Sequence, residues 1–112
     1  MAPIVSALAS HGAVEAVALR QNACFEAALL FARTEGIVPA PETSHAIRVV
    51  VDEALAAKEA KEERVIVFQF SGHGHFDMSS YDRYFRGELE DYAYPEEAIK
   101  ESLAHLPKVA AA

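Results

Sequence analysis

Val65-Ile66-Val67-Phe68-Gln69-Phe70-Ser71-Gly72-His73-Gly74-His75-Phe76-Asp77 is the stretch on which the fold turns. Its first six residues are mostly β-branched or aromatic and stop abruptly at Ser71-Gly72, the composition and length of a buried strand running into a tight loop. A helical pattern precedes the stretch, and another follows it from about Asp77 or Ser79 to Leu89. Helix, strand, glycine loop and helix in that order is the grammar of a layered α/β domain. Ligands of open parallel sheets bind beyond the carboxyl ends of the strands, so the 71–77 loop is the first place to look for chemistry.

Working upstream, Glu42 or Thr43 opens a helix whose Ile47, Val50, Val51, Ala54 and Leu55 recur at helical spacing until the charged run Lys58 to Arg64 closes it. Pro39 and Pro41 separate it from an earlier helix that starts at Asn22, carries Phe25, Ala28, Leu29 and Ala32 on one face and ends at Gly36. Val14 to Leu19 is a short apolar run read as a second strand, and Pro3 to Ser10 reads as a short helix stopped by His11-Gly12. Downstream, Pro95 suits the first position of a last helix that runs to Leu106, and residues 107–112 read as a flexible tail. The expected architecture is a single α/β domain over residues 1–112, with helices packed around a small parallel sheet of strands 14–19 and 65–70.

Composition narrows the function classes. With 52% hydrophobic and 24% charged residues in 112, the chain suits one folded domain rather than a disordered segment. A net charge of −7 argues against a nucleic-acid backbone or an anionic membrane as partner. Cys24 is the single cysteine, which excludes an internal disulfide and a cysteine-cluster metal site. The opening MAPIVSALAS lacks the basic and long apolar regions of a secretory signal, and no apolar run approaches membrane-spanning length, so a cytoplasmic protein is expected.

The 71–77 loop admits several chemical readings. His73 and His75 with Asp77 offer imidazole and carboxylate ligands that suit zinc or iron, although none of His11, His45 and His105 completes a clear cluster. A nucleophilic Ser71 would need a G-x-S-x-G elbow, whereas Phe70 precedes it and Gly72 follows directly. A cofactor-contact loop would use Gly72 and Gly74 for close backbone approach and the Ser71 hydroxyl for one hydrogen bond to a ring nitrogen or phosphate. A plain turn with exposed histidines needs no ligand at all. Glu42 at a helix start is favoured by the helix dipole whatever its function, and Cys24 on an apolar stripe reads as a small core residue. Lys58, Lys61, Lys100 and Lys108 all lie among polar neighbours or near the tail, and none reads as a buried amine.

FEAALLFARTEGIVPAPETSHAI (25–47), VIVFQFSGHGHFDMSSYDRYFRGELEDY (65–92) and YPEEAIKESLAHLPKV (94–109) together resemble the C-terminal part of the tryptophan synthase β-chain-like family, in its second type. The resemblance implies part of a fold type II domain of a pyridoxal-phosphate (PLP) lyase, in which a β-replacement joins indole to serine. It implies that Ser71 hydrogen-bonds the pyridine nitrogen of PLP, that Gly72 belongs to the same cofactor loop, and that Glu42 lies near the cofactor ring. The ordinary β chain carries Arg-Gly-Asp-Lys after its Ser-Gly, where this sequence has His73-Gly74-His75-Phe76. The family's Schiff-base lysine and phosphate-binding loop belong to a longer N-terminal portion that has no counterpart here, and Met1 falls inside the family's chain. The expectation is therefore a fragment or module with no catalytic residue of its own and no metal ligands, binding no PLP alone, and partnered by a complementing N-terminal portion or a second copy. The alternative is a repurposed interaction or metal-binding protein that uses the Ser71–Asp77 loop.

Overall fold

The computed structural model describes residues 2–105. The tail expected at 107–112 lies outside them. Among the described residues the regular elements are five helices: α1 (Pro3–Ser10), α2 (Gln21–Glu35), α3 (Pro41–Ala60), α4 (Met78–Phe85) and α5 (Glu96–Ala104). Gly36 ends α2 in the left-handed conformation at φ 72°, as its placement after the apolar stripe predicts. Pro41 occupies the first turn of α3, where its missing N–H has no helical role, and Lys61 stops the helix at φ 56°. Helix α4 ends at Phe85, four residues before the expected Leu89, and Gly87 follows it with φ 69°.

The core lies between α2 and α3, with α4 across one end. Helix α2 buries Cys24, Phe25, Ala27 and Ala28, and the small alanines let α3 approach closely enough to bury Thr43, Ser44, Ile47 and Ala57. Phe25, Ala28 and Tyr81 form a buried cluster that Leu29, Val38, Tyr84 and Leu89 flank. Phe25 meets Tyr81 edge-on at 5.1 Å between ring centroids and stacks on Tyr84 at 5.3 Å. Helices α1 and α5 bury no residue.

The expected parallel sheet does not form among the described residues. Segments 14–19 and 65–70 take part in no backbone hydrogen bond there, and the one ladder-type pairing is an isolated antiparallel bridge between Pro39 and His73. The physical reason is the lack of a neighbour, because a strand persists only where another chain segment satisfies its amides and carbonyls. Residues 65–70 nevertheless keep the period of two: Ile66, Phe68 and Phe70 are half-buried while Val65 and Val67 are 92% and 91% exposed. Phe31 of α2 receives the inward side, at 6.1 Å from Phe68 and 5.6 Å from Phe70. Residues 14–19 show no such alternation, with only Leu19 half-buried.

The accessible surface is 9088 Å², against roughly 6,100 Å² for a compact monomer of 12.2 kDa. The radius of gyration is 17.3 Å, where about 13 Å is usual for this length. Among the described residues no helix is long and apolar enough to cross a membrane.

Candidate cofactor-contact site

The Pro39-His73 bridge builds the site by joining the chain just before α3 to the loop after the 65–70 segment. Gly74 N–H donates to Val38 C=O at 2.8 Å, and Ala40 N–H donates to Gly72 C=O at 2.9 Å. This is the wide pairing of an antiparallel ladder, in which neither bridged residue uses its own N–H. Pro39 therefore fits it without loss. Its carbonyl is used too, accepting from the buried Tyr81 hydroxyl at 2.5 Å. Gly74 is required by contact: a Cβ there would sit 2.4 Å from Pro39 O and 3.0 Å from Val38 Cγ1.

Two strands of chain held this way bring Ser71 against the first turn of α3. Ser71 Oγ lies 3.0 Å from Thr43 Oγ1, and Thr43 Oγ1 is also 3.4 Å from Gly72 O. Thr43 is buried while Ser71 is exposed, so the pair has one face inside and one outside. Beside them Ser44 donates to Ala40 C=O at 3.0 Å, which fixes the start of the helix. Among the described residues no buried side-chain polar atom lacks a hydrogen-bond partner.

Glu42 is exposed and lines a hollow of about 190 Å³ with Gln21, Cys24, Phe25, Pro41 and His45. Ser71 is not part of that lining, and its hydroxyl partner is Thr43 rather than Glu42. His73 and His75 rings lie 4.7 Å apart, and His75 N–H donates to His73 Nδ1 at 3.3 Å. Among the described residues no three His, Cys, Asp or Glu side chains converge as a metal site.

Burial raises the Cys24 thiol above its ordinary value, only partly countered by the charge of Arg48. Burial likewise raises Tyr81, partly offset by the nearby Ser44 hydroxyl and reinforced by Asp77. A tyrosine raised in the folded state contributes stability that is complete below its unfolded pKa of about 10 and is lost as the pH climbs through the higher folded value. Tyr81→Phe is expected to cost about 1–2 kcal/mol at neutral pH, since Pro39 O loses its donor. Denaturant melts of both forms from neutral to strongly alkaline pH should show the wild-type advantage shrinking above about pH 10. An advantage that grows there would contradict this role for Tyr81.

Sequence reasoning singled out Ser71, Gly72 and Glu42 and passed over Thr43 and Tyr81. Thr43 stands directly after Glu42 in a helical first turn, and Tyr81 falls one turn into the helix after the loop. Neither carries a motif, and only the bridge reveals what they touch.

No family model matches the chain. Curated relatives do. Over 87 residues, 78% of this chain and 20% of the relative, it is 67% identical to the tryptophan synthase beta chain 2 of Methanosarcina acetivorans. It is 59% identical over 90 residues to that of Aquifex aeolicus, covering 80% of this chain and 21% of the relative. With the tryptophan synthase beta chain of Pyrococcus horikoshii the identity is 54% over 92 residues, 82% of this chain and 20% of the relative. The chain is thus homologous to a C-terminal-type segment of the tryptophan synthase β-chain family, often of its second type, and spans about one fifth of the relatives' length.

Proposed function

We propose that this chain supplies the ring-nitrogen side of a PLP pocket in a tryptophan synthase β-like enzyme and is not catalytic alone. The observation that carries the reading is the exposed Ser71 hydroxyl, backed by buried Thr43 in a loop locked by the Pro39-His73 bridge. Gly72 takes part through its backbone, and Glu42 stands at the neighbouring helix start. These residues fit one edge of a pyridine ring and nothing more. PLP, when bound, serves as an electron sink for amino-acid chemistry, and it needs a lysine and a phosphate cradle. Lys58 lies fifteen residues along α3 from Thr43, roughly 22 Å, with Lys61 beyond it, and Lys100 is exposed on α5. A complementing portion must bring both missing parts, and it would also pair with segment 65–70 as a parallel sheet. A cytoplasmic location follows from that role.

The test mixes this chain with the Methanosarcina acetivorans relative lacking the homologous stretch and follows indole consumption with serine and PLP. Tryptophan is expected from the mixture only. Conversion by this chain alone, or an inert mixture despite a formed complex, overturns the reading. A second copy of the chain is the competing partner, favoured by the excess surface of about 3,000 Å². Sedimentation as a monomer at high concentration would remove it. An interaction role for the Ser71–Asp77 loop is supported by Phe76, 91% exposed at its tip.

A further inference from the structure

From the hydroxyl pair we infer that Thr43 is a positioning residue: its buried proton is given to Ser71 Oγ, which turns the Ser71 hydroxyl hydrogen outward as a donor to an uncharged ring nitrogen. The inference rests on the reading of Ser71 as a ring-nitrogen contact and adds to it the source of the serine's polarity.

Thr43 is 2% exposed, so water does not serve its single hydroxyl proton, and an unsatisfied buried hydroxyl is costly. Two acceptors are in reach. Gly72 O is 3.4 Å away, beyond the usual O–H···O range, and already accepts from Ala40 N–H at 2.9 Å. Ser71 Oγ, at 3.0 Å, is the nearer and the less engaged. Were Ser71 to donate inward instead, Thr43 would have to turn to the distant, occupied carbonyl. The favoured state leaves the hydrogen of exposed Ser71 pointing outward. An acceptor arriving there completes a chain from Thr43 through Ser71 to the ligand, in which each bond polarises the next. A ligand that donates meets only the second lone pair of Ser71 Oγ and gains nothing from the outward hydrogen, so the site favours an acceptor. Threonine suits the task because its branched Cβ restricts χ1 and holds the hydroxyl in place.

The experiment uses the whole chain, labelled with ¹³C and ¹⁵N, as wild type, Thr43→Val, Thr43→Ser and Ser71→Ala. Without ligand, the Gly72 carbonyl resonance reports where the Thr43 proton sits. Thr43→Val is expected to leave it in place, and Ser71→Ala to move it downfield as the proton turns to the remaining acceptor. An upfield move in Thr43→Val overturns the inference; should that variant not fold, an unmoved carbonyl in Ser71→Ala does so. Pyridine, uncharged in mildly alkaline buffer, is then titrated against the Ser71 and Gly72 amides. Thr43→Val should bind it roughly tenfold more weakly, with Thr43→Ser restoring the affinity. If Ser71→Ala responds to pyridine as wild type does, the ring-nitrogen reading fails while the carbonyl still decides the proton's direction. If Ser71→Ala loses the response and Thr43→Val keeps it, only the role of Thr43 falls.

Discussion

Gly74→Ala is expected to lower the unfolding midpoint by roughly 10–20 °C, corresponding to about 2–3 kcal/mol. The added Cβ would meet Pro39 O at 2.4 Å, and a backbone oxygen held by Tyr81 cannot move aside as a flexible side chain would. Relief requires opening the bridge, so the Gly74-Val38 and Ala40-Gly72 hydrogen bonds go together. Gly36→Ala is the control, because its φ of 72° is unfavourable for alanine while nothing lies within 4 Å of the new atom. That change should cost only about 1 kcal/mol, the price of the left-handed backbone. Circular-dichroism melts of the two variants separate contact from conformation, and equal midpoints would contradict the steric account.

Phe25→Ala should be more damaging still, at about 3–4 kcal/mol. The ring is the shared neighbour of Tyr81 and Tyr84, and it joins α2 to α4. Its loss leaves a cavity in a core with few large side chains, and α4 loses its main attachment. Near-ultraviolet dichroism should lose its tyrosine signal while far-ultraviolet helix content falls less, because the contact between α2 and α3 remains. Phe25→Leu, which refills part of the space, should recover about half of the loss. Retention of the full near-ultraviolet signal in Phe25→Ala would show that α4 is held by something else.

The helices were legible because their signals are local. Gly36, the proline pair and the apolar spacing of α2 and α3 act within a turn or two, and the observed boundaries follow them closely. The sheet is not shown among the described residues, for a reason equally plain. Val65 to Phe70 has the composition and alternating burial of a strand, but a strand is a property of at least two segments, and 14–19 does not lie against it as a partner. Ser71 and Gly72 are conspicuous as a polar glycine loop after an apolar run, but their cofactor role, like that of Glu42, comes from the family resemblance and not from the pattern. Thr43 is not conspicuous, since its importance comes from a pairing between residues 38–40 and 72–74 that leaves no periodic trace.

Segment 65–70 has a consequence for handling the chain at high concentration. Six residues without charge or proline, rich in valine and phenylalanine and with both backbone edges open, match the composition of fibril-forming segments. Lys61, Glu62, Glu63 and Arg64 stand immediately before them, a charged guard on one flank, whereas the other flank begins with Ser71-Gly72 and has none. Those open edges can therefore accept identical strands, and keeping this chain dispersed depends on whether they are covered first.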